Sequence, residues 1–92
     1  MIFTWDENKA KINIQKHEVS FEEAHTVFFD ERALLIHDPV HSKGEDRFII
    51  FGLSVKLRIL AVSHCYRQND EIIRIISARK ATNNEIKQYQ EV

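Results

Sequence analysis

RIISARKAT, residues 74–82, joins a β-branched run to the start of a helix. Ile72, Ile73, Ile75 and Ile76 suit a central strand covered on both faces. Thr82 and Glu85 have capping-box spacing, so a terminal helix is expected to begin there. Among and just after the isoleucines stand Arg74, Arg79 and Lys80. A guanidinium keeps its charge and offers two parallel donors, so a rigid strand that carries several suits the recognition of phosphate. The same residues also read as a sheet edge with solvated charges.

The rest of the chain sets this junction in one small domain. Ninety-two residues leave no room for a second core, and 43% apolar with 10% aromatic residues are enough to fold one. Two glycines and one proline leave no linker or low-complexity segment. No apolar run approaches the roughly 18 residues of a membrane helix, and the N-terminus lacks the pattern of a signal peptide. Cys65 is the only cysteine, which excludes an internal disulfide and makes the cytoplasm the expected location. The net charge of −1 does not suggest a nucleic-acid binder, but its distribution is uneven. Residues 1–31 carry seven carboxylates against three lysines, and residues 56–80 carry six cations against two carboxylates. That asymmetry permits one positive face, and equally permits pairing between the two halves.

Residues 1–5 read as a short strand. Asp6 is placed to cap a helix running to His17, with Lys9, Asn13 and Lys16 on one stripe. Ser20 and Glu23 have capping-box spacing for a second helix, with Phe21, Ala24, Val27 and Phe28 on its apolar side. Strands are expected at residues 32–37, 47–55, 58–66 and 71–78, with a polar loop at 38–45 and a Gln68-Asn69-Asp70 turn. The third helix is expected at residues 83–90, with Ile86 and Tyr89 inward. Short connections favour antiparallel neighbours. The expected fold class is therefore α+β: an antiparallel sheet of about four strands, two N-terminal helices and one C-terminal helix.

Several groups could carry chemistry. Arg67, Arg74, Arg79 and Lys80 suit binding of a phosphate and stabilisation of extra charge on it, unless Asp70, Glu71 or Glu85 neutralise them. Lys16 and His17 could move a proton, or simply sit against the last carbonyls of their helix. Glu45 and Arg47 lie where the long loop enters the sheet, as a base with its cation or as an ion pair. His37 and His41 have an i, i+4 spacing, but Pro39 interrupts any helix and no third ligand is suitably spaced, so no metal is expected. There is no glycine-rich phosphate loop and no serine nucleophile elbow. Cys65, within an apolar strand, reads as core.

FTWDENKAKIN (residues 3–13), KHEVSFEEA (16–24), VFFD (27–30), GEDRF (44–48) and RIISARKATNNE (74–85) together resemble the BrnT family of type II toxin–antitoxin toxins. The resemblance implies a RelE-like ribonuclease fold, cleavage of RNA and a block of translation. It implies no cofactor. It also implies a BrnA-type antitoxin with a ribbon-helix-helix part, which neutralises the toxin in a hetero-oligomer and alone contacts the operator DNA. One departure is Glu18, where many relatives resemble KHGVSF. A glutamate in the left-handed conformation that suits glycine costs on the order of 1 kcal/mol.

Metal-free RNA cleavage needs a base for the 2′-hydroxyl, a cation for the phosphorane and an acid for the 5′-oxygen. The residues expected to take part in catalysis are Lys16, His17, Glu45, Arg67 and Arg79. Arg47, Arg74, Lys80 and Tyr66 are expected to bind RNA or phosphate. Two other readings stay open: a non-catalytic binding module, and a degenerate toxin acting only through its antitoxin and operon control.

Overall fold

A computed structural model describes residues 1–91. The elements are β1 (Ile2–Thr4), α1 (Glu7–His17), α2 (Phe21–His25), β2 (Leu34–His37), β3 (Phe48–Leu53), β4 (Ile59–Arg67), β5 (Ile72–Lys80) and α3 (Asn83–Gln90). Short 3₁₀ turns follow α2 at Thr26–Phe29 and β2 at Pro39–His41.

The five strands lie in the order β1-β5-β4-β3-β2. This corrects the expectation of about four antiparallel strands, because β1 joins the sheet parallel to β5, with Ile2 opposite Ile72 and Thr4 opposite Arg74. Short connections do make β2 to β5 antiparallel. The β1 pairing links residues about seventy positions apart, and no local pattern reports it.

The strands of the hairpins alternate between two unlike faces. On one face Val19, Phe21, Ala24 and Val27 pack against Ile50, Leu60, Val62, Ile75 and Ala78. Gly52 lies on this face because Val27 leaves it no room: a Cβ there would come within 3.0 Å of both the Val27 side chain and its carbonyl oxygen. Phe51 and Ala61 point to the other face and are buried, with α3 packed against β3. Cys65 on that face is buried as well, and the stretch around Ser63, Ser77 and Arg79 is open. The four isoleucines are therefore not covered on both faces as expected. Ile73 and Ile75 are buried, whereas Ile72 and Ile76 are half-buried.

A bulge sets Ile76 apart from the other three. Ser63 pairs with Ser77 and His64 with Ile75, which leaves Ile76 as the extra residue of β5. Beyond the end of β1, the edge of β5 is closed by α1. The buried Asn13 amide donates to Ala78 O at 2.8 Å and to Val19 O at 2.9 Å, and accepts from Ala78 N at 3.0 Å. A side chain thus replaces a missing strand.

The two capping-box sequences behave differently. Thr82 and Glu85 form the complete box at the start of α3. Ser20 caps α2 by accepting from Glu23 N, but the Glu23 carboxylate turns into the core and accepts from Ser54 Oγ at 2.7 Å and from two Arg58 nitrogens. At the end of α1, Glu18 does take the left-handed conformation, with φ 56°. Its carbonyl accepts from Arg58 at 3.1 Å, so the arginine that holds Glu23 also braces the strained residue.

Candidate functional site

The open face carries a cleft of about 260 Å³ astride the bulge. Arg79 and Ser77 from β5, Ser63 from β4 and Arg47 before β3 line its floor and wall, with Asp38 and His41 from the β2–β3 loop opposite. Alternation explains the convergence: Arg47, Ser63, Ser77 and Arg79 all point away from α1 and α2.

The loop is held at its base. Asp38 N donates to Arg47 O at 2.9 Å, continuing the β2–β3 ladder, and Arg47 N donates to Ser42 Oγ at 2.9 Å. Pro39 tightens the chain into a single turn, which brings Asp38 and His41 together. The His41 Nδ1–H donates to Asp38 Oδ2 at 2.8 Å, which leaves Nε2 as the free nitrogen of the ring. Burial pushes the Asp38 carboxyl up, but the hydrogen bonds it accepts, above all from the His41 ring and then from the His41 and Val40 amides, outweigh it and hold the group below the usual carboxylate range.

Arg79 is fixed rather than free. Its two terminal nitrogens donate to the Glu85 carboxylate at 2.6 and 3.0 Å, and Glu85 also accepts from Thr82 N. The bond from Arg79 lowers the acidity range of Glu85 despite partial burial, and that from Glu85 raises Arg79. Arg79 still keeps 40% of its side chain exposed, so the pair positions one guanidinium edge and leaves another open to the cleft. Among the described residues Arg47 has no carboxylate within ion-pair distance.

The other expected residues fall in three places. Lys16 and His17 line a groove of about 190 Å³ between α1 and β5, and this groove shares Ile76 and Ser77 with the main cleft. Arg67 and Arg74 line a cavity farther along the same open face, where Arg67 pairs with Glu45 at 3.2 Å. Tyr66 and Lys80 point to the opposite face. Tyr66 lines an apolar cavity with Phe48 and Leu35 that also takes in Glu45, Asp46 and Asp70. Its hydroxyl donates to the buried His64 Nε2 at 3.1 Å, since His64 Nδ1 donates to Val62 O.

Asp38, His41, Ser63, Ser77 and Lys9 line these clefts and were not expected from the sequence. The Asp-Pro-x-His spacing is the one signal that could have found the first two. His37, at the end of β2, turns instead to Asp46 at 3.2 Å, whereas His41 in the following loop turns to Asp38. No group of three or more metal-ligating side chains occurs among the described residues. No helix is long and apolar enough to cross a membrane.

A five-stranded mixed sheet with two helices on one face and fixed guanidinium groups on the other defines a small α+β domain whose open face can hold an anion. Over residues 5–85 the chain matches the family described as ribonuclease toxin, BrnT, of type II toxin-antitoxin system, and it belongs to that family. Such a family implies an antitoxin partner. The 1.1 Å crystal structure of the Brucella abortus ribonuclease toxin BrnT is similar, with a TM-score of 0.69 at 24% identity, over 90% of this chain and 100% of that one. At that identity the likeness establishes the fold. No curated protein sequence matches the chain.

Proposed function

We propose that this chain is a metal-independent endoribonuclease that cleaves RNA, inhibits translation and is neutralised by a BrnA-type ribbon-helix-helix antitoxin in the cytoplasm. The observation that carries this reading is the single cleft holding Arg47, Arg79 and a histidine with its carboxylate. Arg47 and the open edge of Arg79 grip the scissile phosphate and stabilise the charge that builds on the phosphorane. Asp38 fixes His41 with Nε2 bare, ready to accept the 2′-hydroxyl proton. His17, across the bulge, is the candidate acid for the 5′-oxygen. Arg67 and Arg74 extend the cationic surface along the same face, and Glu45 holds Arg67. RNA reaches the antitoxin-free protein only; operator DNA is contacted through the antitoxin.

The test is RNA degradation by purified protein with and without EDTA, alongside Arg79→Ala. Cleavage that survives EDTA and is lost in a folded Arg79→Ala protein supports the reading. Absence of cleavage, even with ribosomes present, together with tight antitoxin binding supports a non-catalytic module instead. A fully active, folded Arg79→Ala protein removes Arg79 from the site.

A further inference from the structure

The groove between α1 and β5 has no part to play in holding the scissile phosphate, yet it is built and charged. Lys9, Lys16 and His17 line it above Asn13, Ile76 and Ser77. Its walls are rigid, because the buried Asn13 amide ties α1 to Ala78 through two hydrogen bonds. Its cations are unspent: among the described residues neither lysine nor His17 lies within ion-pair distance of a carboxylate.

A helix-end role explains two of the three. Lys16 and His17 occupy the last turn of α1, where cations are favourable. Lys9 is in the first turn, where a cation opposes the helix dipole. Neither acidic group beside it pairs with its ammonium: the Asp6 carboxylate accepts from the Lys9 amide at 3.0 Å and only feels the Lys9 charge, and Glu7 accepts from Trp5 Nε1 at 3.0 Å. Lys9 and Lys16 therefore flank Asn13 on one stripe of the helix, an arrangement that costs a little stability and concentrates positive charge over one groove.

The bulge connects this groove to the cleft. Ile76 and Ser77 line both, so a chain leaving Arg47 and Arg79 across β5 arrives between Lys9 and Lys16. We infer that the α1–β5 groove is a second phosphate subsite, which binds the backbone of single-stranded RNA next to the phosphate held by Arg47 and Arg79. This deepens the ribonuclease reading and rests on it for the identity of the substrate. The subsite makes the protein a reader of strand length: a dinucleotide, with one phosphate, fills the cleft alone, and a longer strand fills both.

The test uses a short single-stranded 2′-O-methyl RNA, which cannot be cleaved through its 2′-oxygen, and the full chain as wild type, Lys9→Gln and Lys9→Gln/Lys16→Gln. Each lost phosphate contact on a single strand reduces the slope of log affinity against log salt by about 0.7. The expected reductions are thus about 0.7 for the single and about 1.4 for the double variant. Circular dichroism checks that both variants remain folded. With cleavable RNA, the preference of wild type for a longer strand over a dinucleotide, measured as kcat/KM, narrows in the variants. An unchanged salt slope, or an equal loss on dinucleotide and longer RNA, overturns the subsite. If wild type cleaves nothing but the slopes still fall with the lysines, the groove stands as an RNA-backbone site and the ribonuclease reading falls.

Discussion

The two faces of the sheet carry the same chemical pieces in opposite roles. Beneath α2, Arg58 meets a Glu23 side chain that is only 1% exposed. On the open face, a 40%-exposed Arg79 meets Glu85 beside an Arg47 that, among the described residues, meets no carboxylate. The histidines divide in the same way. His64 is fully buried within a box of Phe28, Phe48 and Tyr66, whereas His41 is exposed and bound to Asp38. Residue type alone does not distinguish scaffold from site in this chain. What distinguishes them is how many donors and acceptors remain unused once the fold is complete.

The largest expected effect comes from breaking the buried pair. Arg58→Ala leaves the Glu23 charge uncompensated and removes the brace from Glu18, so urea unfolding should show a loss of about 3–5 kcal/mol. If the loss is under 1 kcal/mol, Glu23 is not the internal charge the geometry describes. Arg47→Ala is the mirror experiment. It breaks no ion pair, so stability should stay within about 0.5 kcal/mol of wild type. Cleavage, in contrast, should fall by roughly 10²–10³-fold if Arg47 stabilises the phosphorane. A variant that loses stability and keeps activity would reverse the roles assigned to the two arginines.

The comparison also explains what the sequence made legible. Thr82 and Glu85 were readable because a capping box is a contract between residues three apart, and β3 to β5 because short turns force antiparallel neighbours. Glu23 has the same spacing from Ser20, yet its carboxylate is claimed by Arg58, thirty-five residues on. The β1–β5 pairing is non-local in the same sense. Of the cleft, Arg79 is legible in the charged cluster after a β-branched run and Arg47 as the cation where the long loop enters the sheet, whereas Lys16 and His17, legible as a basic helix end, line the adjoining groove. His41 reads from the sequence only as a rejected metal ligand and Asp38 only as the end of a strand, because nothing local tells that Pro39 folds their loop back over Arg47 and Arg79. Tyr66 and Arg67 are neighbours in sequence and point to opposite faces, a consequence of strand register rather than of residue type.

The histidines give a pH test. Burial drives the His64 pKa down from 6.5, and the hydrogen bond to Val62 only partly opposes this. The unfolded chain takes up a proton near its ordinary pKa while the folded chain does not. The stability contributed by neutral His64 is therefore complete above about pH 6.5 and is lost as pH falls below it, with a slope of at most about 1.4 kcal/mol per pH unit. Glu23 and Glu85 are shifted down from 4.5, so what they contribute is present above that value and is lost only as pH falls below it. Denaturation at pH 7.5 and 5.5 isolates the histidine. Flat stability between these two values would mean that His64 is protonated in the fold or is not buried.

The smallest effect is the most pointed. Tyr66→Phe removes the hydroxyl that donates to His64 Nε2 and leaves that nitrogen without a partner inside the sheet, which costs about 1–2 kcal/mol. Because Tyr66 points away from Arg47 and Arg79, the same change should leave cleavage within about twofold of wild type. Proton uptake by the unfolded chain is the same in both proteins, so the loss should hold steady as pH falls through 6.5 and change only where the folded His64, whose pKa is lowered, itself takes up a proton. If Tyr66→Phe instead reduces cleavage strongly while leaving stability intact, RNA wraps from the open face around the sheet end past Glu45. The division between a scaffold face and a working face would then give way to one continuous surface.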